Sequence, residues 1–115
     1  MTERIDIDLL DPDDPFEVDP VNRPHLYKHF FTRPDGRPIR IDLSDLLDLY
    51  VWRGVVFYPA DLERGPAHWL MVGEIDGVIV TVPLAPARSG ESSKCRPIGL
   101  YVAAAAEQDA YRRDV

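Results

Sequence analysis

The chain has 115 residues, 45% hydrophobic and 29% charged, with a net charge of -7. That length supports one core of ordinary size, and the single cysteine, Cys95, excludes an internal disulfide or a multi-cysteine zinc site. No apolar run approaches the roughly 20 residues of a membrane helix, and the first residues lack the regions of a signal peptide. A soluble cytoplasmic domain without membrane contact is expected.

The charge is unevenly placed. Residues 1–20 set Arg4 against Glu3, Asp6, Asp8, Asp11, Asp13, Asp14, Glu17 and Asp19, while bases and acids balance in residues 21–115. An acidic arm repels nucleic acid at long range, and a neutral body gives little steering toward it. Ile5, Ile7 and Leu9 alternate with acids, but Asp11-Pro12-Asp13-Asp14-Pro15 breaks regular structure. A flexible acidic arm is therefore predicted over residues 1–15, dispensable for folding, and a single domain over residues 16–115.

Within the domain, residues 16–18 read as a first strand. Asn22 suits the cap of a helix running through His25 to Phe30, and residues 32–38 read as a loop turning at Asp35-Gly36. Leu43, Leu46, Leu47 and Tyr50 fall at i, i+3, i+4 and i+7, which predicts a second helix, capped by Asp42 or Ser44 and stopped by Gly54. The period then changes. Residues 55–58, 68–75 and 78–82 read as strands, the last two joined by Asp76-Gly77, a strong signal for a tight hairpin. Residues 83–93 form a polar loop carrying Arg88. Residues 94–102 read as a last strand, where Pro97 suggests an edge or a bulge, and alanine-rich residues 103–113 as a closing helix. The expected fold is α+β: two amino-terminal helices and one carboxy-terminal helix on a three- to four-stranded antiparallel sheet.

Chemistry is sparse. No glycine-rich phosphate loop, nucleophile elbow or zinc motif is present, and no cofactor is expected. His25 and His29 stand four apart, but two ligands are too few for a tight metal site. Cys95 has no visible histidine partner and reads as structural. His68 opens a strand after a loop containing Arg64, a place for a general acid or base and equally an ordinary sheet edge. Lys94 and Arg96 share parity with Ile98 and Leu100, which would place a basic end on the core-facing side of the last strand. A guanidinium there could grip a phosphate with two parallel hydrogen bonds, or pair with Glu107 or Glu74. Tyr111, Arg112 and Arg113 could approach the same rim, although the two arginines would also complement the negative end of their helix.

Phe16-Glu17-Val18-Asp19 followed by His25-Leu26-Tyr27-Lys28-His29 resembles the opening of BrnT-type toxins. Arg96-Pro97-Ile98 followed by Ala103, Glu107 and Tyr111 resembles that family's final strand and helix. Trp69-Leu70-Met71-Val72-Gly73 and the Asp76-Gly77 hairpin sit where it has its central strands. The resemblance spans residues 16 to 113. It implies a fold similar to RelE-type ribonucleases, metal-independent RNA cleavage by attack of the 2′-hydroxyl, and neutralisation by a small antitoxin protein. Arg96 would then stabilise the phosphate, with His68, Lys94 and Arg64 as further catalytic candidates and Arg88, Arg112, Arg113 and Tyr111 as RNA contacts. The chain departs from the family in its long connection over residues 31–41 and in Gly99-Leu100-Tyr101, where many members have a small residue, alanine and arginine. The alternative is a non-catalytic protein-binding module on the same scaffold. A ribonuclease requires exposed cations clustered beside the sheet; a binding module predicts them dispersed or paired with acids.

Overall fold

A computed structural model describes residues 3–18, 30–52 and 54–115. The helix expected through His25 lies outside these residues, apart from Phe30, which instead begins a strand. The described part is a mixed α+β structure with antiparallel sheets. A small hairpin of β1 (Phe30–Thr32) and β2 (Pro38–Arg40) precedes helix α1 (Leu43–Val51). Five strands follow: β3 (Val55–Pro59), β4 (Trp69–Ile75), β5 (Val78–Pro86), β6 (Cys95–Pro97) and β7 (Tyr101–Val102). Helix α2 (Ala105–Asp114) closes the chain. The main sheet has the order β3-β4-β5-β6, with β7 also paired to β5.

Local chemistry explains the elements. The Asp42 side chain accepts from the Ser44 and Asp45 amides, and Asp45 returns the bond to the Asp42 amide. This reciprocal cap settles the choice between Asp42 and Ser44 and fixes where α1 starts. Leu46 is then driven into the core, fully buried. At the β4–β5 turn, Asp76 and Gly77 have φ of 49° and 83°, the left-handed pair that a two-residue hairpin with right-handed strand twist requires.

The central strand β5 is covered on both faces. Val80, Val82 and Leu84 join Leu46, Met71, Phe31, Ile41 and Cys95 in the main core. Ile79 packs with Val72, Ala103 and Tyr111 under α2 on the other face. The Tyr111 hydroxyl donates to the Gly54 carbonyl (3.0 Å), and the Tyr58 hydroxyl to Asp114 (2.9 Å), so α2 is tied to β3.

Three expectations change. The loop predicted over residues 32–38 is the turn of the β1–β2 hairpin, since short flanking strands with Pro34 and Pro38 leave little strand signal. The predicted strand at residues 16–18 is a single parallel bridge, Phe16 to Cys95. The predicted last strand is two strands. β6 pairs Leu84 with Pro97, but β7 pairs Thr81 with Tyr101, so the register slips by one residue between them. A one-residue bulge reverses side-chain alternation. Leu100 therefore faces the core together with Cys95 and Pro97, while Arg96 points to the opposite face beside Ala85. The parity expected for Lys94 and Arg96 does not hold, because it assumed an unbroken strand.

Residues 3–15, which fall in the expected flexible arm, lie against the body together with residues 16–18. Leu10 is only 5% exposed and Phe16 7%. Ile7–Leu9 forms a 3-10 turn capped by Asp6. The Cys95 amide donates to the Pro15 carbonyl (2.8 Å), the Glu17 amide to the Cys95 carbonyl (2.7 Å), and the Asp11 amide to the Ser93 carbonyl (2.8 Å). The segment thus covers the outer side of β6.

Candidate functional site

The start of β4, the end of β5 and the start of β6 meet at one end of the sheet. Topology carries His68, Arg88, Lys94 and Arg96 to this end, and the β3–β4 loop brings Arg64 there as well. Arg112 and Arg113 are not part of it. They sit at the carboxyl end of α2, which is tied to β3 on the opposite edge from β6. Tyr111, expected at the same rim, is buried with its hydroxyl committed to Gly54.

His68 is buried and its Nδ1 accepts the Ile5 amide (3.0 Å). Its neighbour Trp69 donates its indole N–H to the Ile5 carbonyl (2.7 Å). Arg4 donates to the carbonyls of Ala60 and His68 and stacks its guanidinium 5.5 Å from the centre of the Trp69 ring. Burial and the adjacent Arg4 cation hold the His68 pKa below its ordinary 6.5. The imidazole is neutral near pH 7, and the nitrogen a base would use is occupied. In this arrangement His68 clasps residues 4–5.

The cations are surrounded by acids. Lys94 pairs with Asp14 at 2.8 Å, and Asp14, Glu91 and Asp11 together raise its pKa. Arg64 pairs with Asp61 at 3.4 Å, Arg112 with Asp109 at 4.0 Å and Arg113 with Asp114 at 3.1 Å. Glu17 accepts the Arg88 amide (2.7 Å) and the Ser89 amide (3.2 Å), holding the β5–β6 loop. These bonds lower the Glu17 pKa, with a smaller contribution from the charge of Arg96, so this carboxylate stays ionised. The charge of Arg96 thus lies close enough to Glu17 to be felt there, and no ion pair of Arg96 with Glu107 or Glu74 is present among the described residues. Glu107 is occupied by Thr81 (3.2 Å) and the Ala104 amide (2.9 Å). The Arg96 Nε is buried with no hydrogen-bond partner among the described residues.

No family model, curated protein or solved structure matches the chain. Among the described residues no three His, Cys, Asp or Glu side chains stand together as metal ligands, and no helix is long and apolar enough to cross a membrane. His25 and His29 lie outside the described residues.

Cys95 is fully buried, and burial pushes its thiol up to about 12. A thiolate is the reactive species, so the folded protein should resist alkylation near pH 8. Iodoacetamide is expected to label Cys95 only as fast as the chain opens, with labelling accelerated by urea. Rapid labelling of the native protein would show that the thiol is accessible.

Sequence reasoning missed Arg4, Asp14 and Glu17, the residues that organise this end. One signal was visible: Arg4 is the lone base in a strongly acidic segment, and a solitary opposite charge of that kind is well placed to anchor it.

Proposed function

We propose that the chain acts by binding a protein partner on a toxin-like α+β scaffold, and does not cut RNA. The observation that carries this reading is the pairing of the basic side chains with acids. Exposed ion pairs are individually weak, about 0–1 kcal/mol, but their strength is not the point. A phosphate backbone responds to the summed local field, and each acid beside Lys94, Arg64 and Arg96 cancels attraction that an RNA-binding surface needs. Cleavage further needs a base for the 2′-hydroxyl and an acid for the leaving oxygen. His68 is committed to Ile5, and an ionised Glu17 has no proton to give.

The order helix, antiparallel sheet, helix supports a RelE-like scaffold of the BrnT kind, on which the partner would be a small antitoxin-like protein. Leu100 and Tyr101, standing where many such toxins have alanine and arginine, fit a member that has kept the scaffold and lost the chemistry. A second reading retains the ribonuclease, and one observation favours it: the buried Nε of Arg96 has no acceptor among the described residues, and a phosphate oxygen would supply one.

The deciding experiment incubates the purified chain with RNA in EDTA, beside an Arg96→Ala variant. RNA is expected to stay intact with both. Cleavage by the parent that disappears in Arg96→Ala, with folding unchanged, would establish the ribonuclease and remove the binding-module reading.

A further inference from the structure

A groove of about 530 Å³ lies between the 3-10 turn, the end of α1 and the edge strand β3. Apolar residues make up much of its lining: Ile7, Leu10, Tyr50, Val51, Val55 and Phe57. Asp8 and Asp13 line it as well. Three large apolar side chains at or beside it are exposed, Leu9 at 57%, Val51 at 45% and Trp52 at 83%. Exposed tryptophan next to an apolar groove is the composition of a binding hot spot rather than of an ordinary surface.

We infer that this groove receives a basic amphipathic helix of a partner protein. The inference rests on the protein-binding reading above and assigns its surface and the chemistry of its partner. Charge complementarity selects the occupant. Among the neighbouring acids, Asp14 is paired with Lys94, Glu17 holds two amides, and Asp6 and Asp11 each accept a local amide. The carboxylates of Asp8 and Asp13 make no hydrogen bond or ion pair among the described residues, and these are the two that line the groove. The acidic segment that the clasp at His68 fixes to the body therefore places beside the apolar residues two negative charges that have no ion-pair partner among the described residues. The lining comes from three elements, residues 7–13, Tyr50 with Val51, and Val55 with Phe57, rather than from one strand edge, which suits a helix inserting apolar anchors at i, i+3, i+4 and i+7 better than an added strand. Lysines or arginines flanking the anchors would meet Asp8 and Asp13.

The test uses the full chain and a fluorescein-labelled peptide with leucines at that spacing and lysines elsewhere. Two controls accompany it, a scrambled peptide of the same composition and one with glutamate in place of lysine. Saturable binding is expected for the first peptide, with amide shifts concentrated at residues 7–13 and 50–57. Val51→Arg and the double variant Asp8→Asn/Asp13→Asn, each checked for an unchanged fold, should weaken it by at least about tenfold. Equal binding of the scrambled peptide, shifts on another face, or no binding would overturn the inference. So would a dimer in sedimentation that Val51→Arg dissociates, since a second copy would then occupy the groove. If these failures occur while RNA stays intact, the groove alone is wrong. If RNA is cut in an Arg96-dependent way, the reading beneath it is wrong.

Discussion

Replacing Leu10 by alanine is expected to lower stability by about 3 kcal/mol, the middle of the range for a buried leucine truncated in a core. For a chain of this size that corresponds to a fall in Tm of roughly 10 °C. The expectation follows from the 5% exposure of Leu10 and its place in the main core beside Phe16, Leu84 and Cys95. It reverses what composition suggests for residues 1–15. Ordering a residue costs about 1–2 kcal/mol, and four aliphatic side chains alone do not offset a dozen of them. The structure supplies further terms that apolar counting omits. The Ile5 backbone is bonded on both sides by His68 and Trp69, and Arg4 satisfies two carbonyls. Pro15 and Glu17 pair with the backbone of Cys95. Deleting residues 1–14 should therefore destabilise the protein at least as much as Leu10→Ala. Thermal unfolding of the three proteins decides it: matching midpoints would mean that the segment is not docked in solution.

What could be read from the sequence divides along physical lines. The α1 helix and the β4–β5 hairpin were legible because each is specified locally, by leucine spacing plus an aspartate cap and by an Asp-Gly pair that only a tight turn accommodates. The closing helix followed from alanine propensity. The β6–β7 segment was not legible in detail. Its bulge lies in the pairing register with β5, a non-local property, and a slip of one residue was enough to move Arg96 from the expected face to the opposite one. The site suffered most for the same reason. Arg96, Lys94, His68 and Arg64 were singled out by type and position, and the topology does gather them at one end of the sheet. Their acidic partners, Asp14, Glu17 and Asp61, were visible only as members of an acidic segment and a loop. Whether a cation is free to meet a phosphate depends on those neighbours.

The second large effect concerns acid. His68 accepts the Ile5 amide through Nδ1, and a protonated imidazole cannot accept there; the proton would also face the Arg4 cation. Burial first, and then the Arg4 charge, depress its pKa in the folded protein below the 6.5 it has when solvated. As the pH falls through 6.5, the unfolded chain takes up a proton that the folded chain refuses. Stability then falls with falling pH, from neutrality downward until the folded pKa is passed. Carboxylates titrate lower in the range and add their own slope, so the contribution of His68 needs a matched background. His68→Asn provides one, because the asparagine Oδ1 can occupy the position of Nδ1, accept the same amide and carry no titrating group. Near pH 7.5 the two proteins should differ by no more than about the 1 kcal/mol of one altered hydrogen bond. Between pH 7.5 and 5 the parent should lose stability faster than His68→Asn, in urea unfolding followed at several pH values. Arg4→Met should reduce this difference by removing the charge that opposes protonation, while costing stability at every pH. Parallel profiles for the parent and His68→Asn would mean that the clasp on Ile5 does not depend on the protonation of His68.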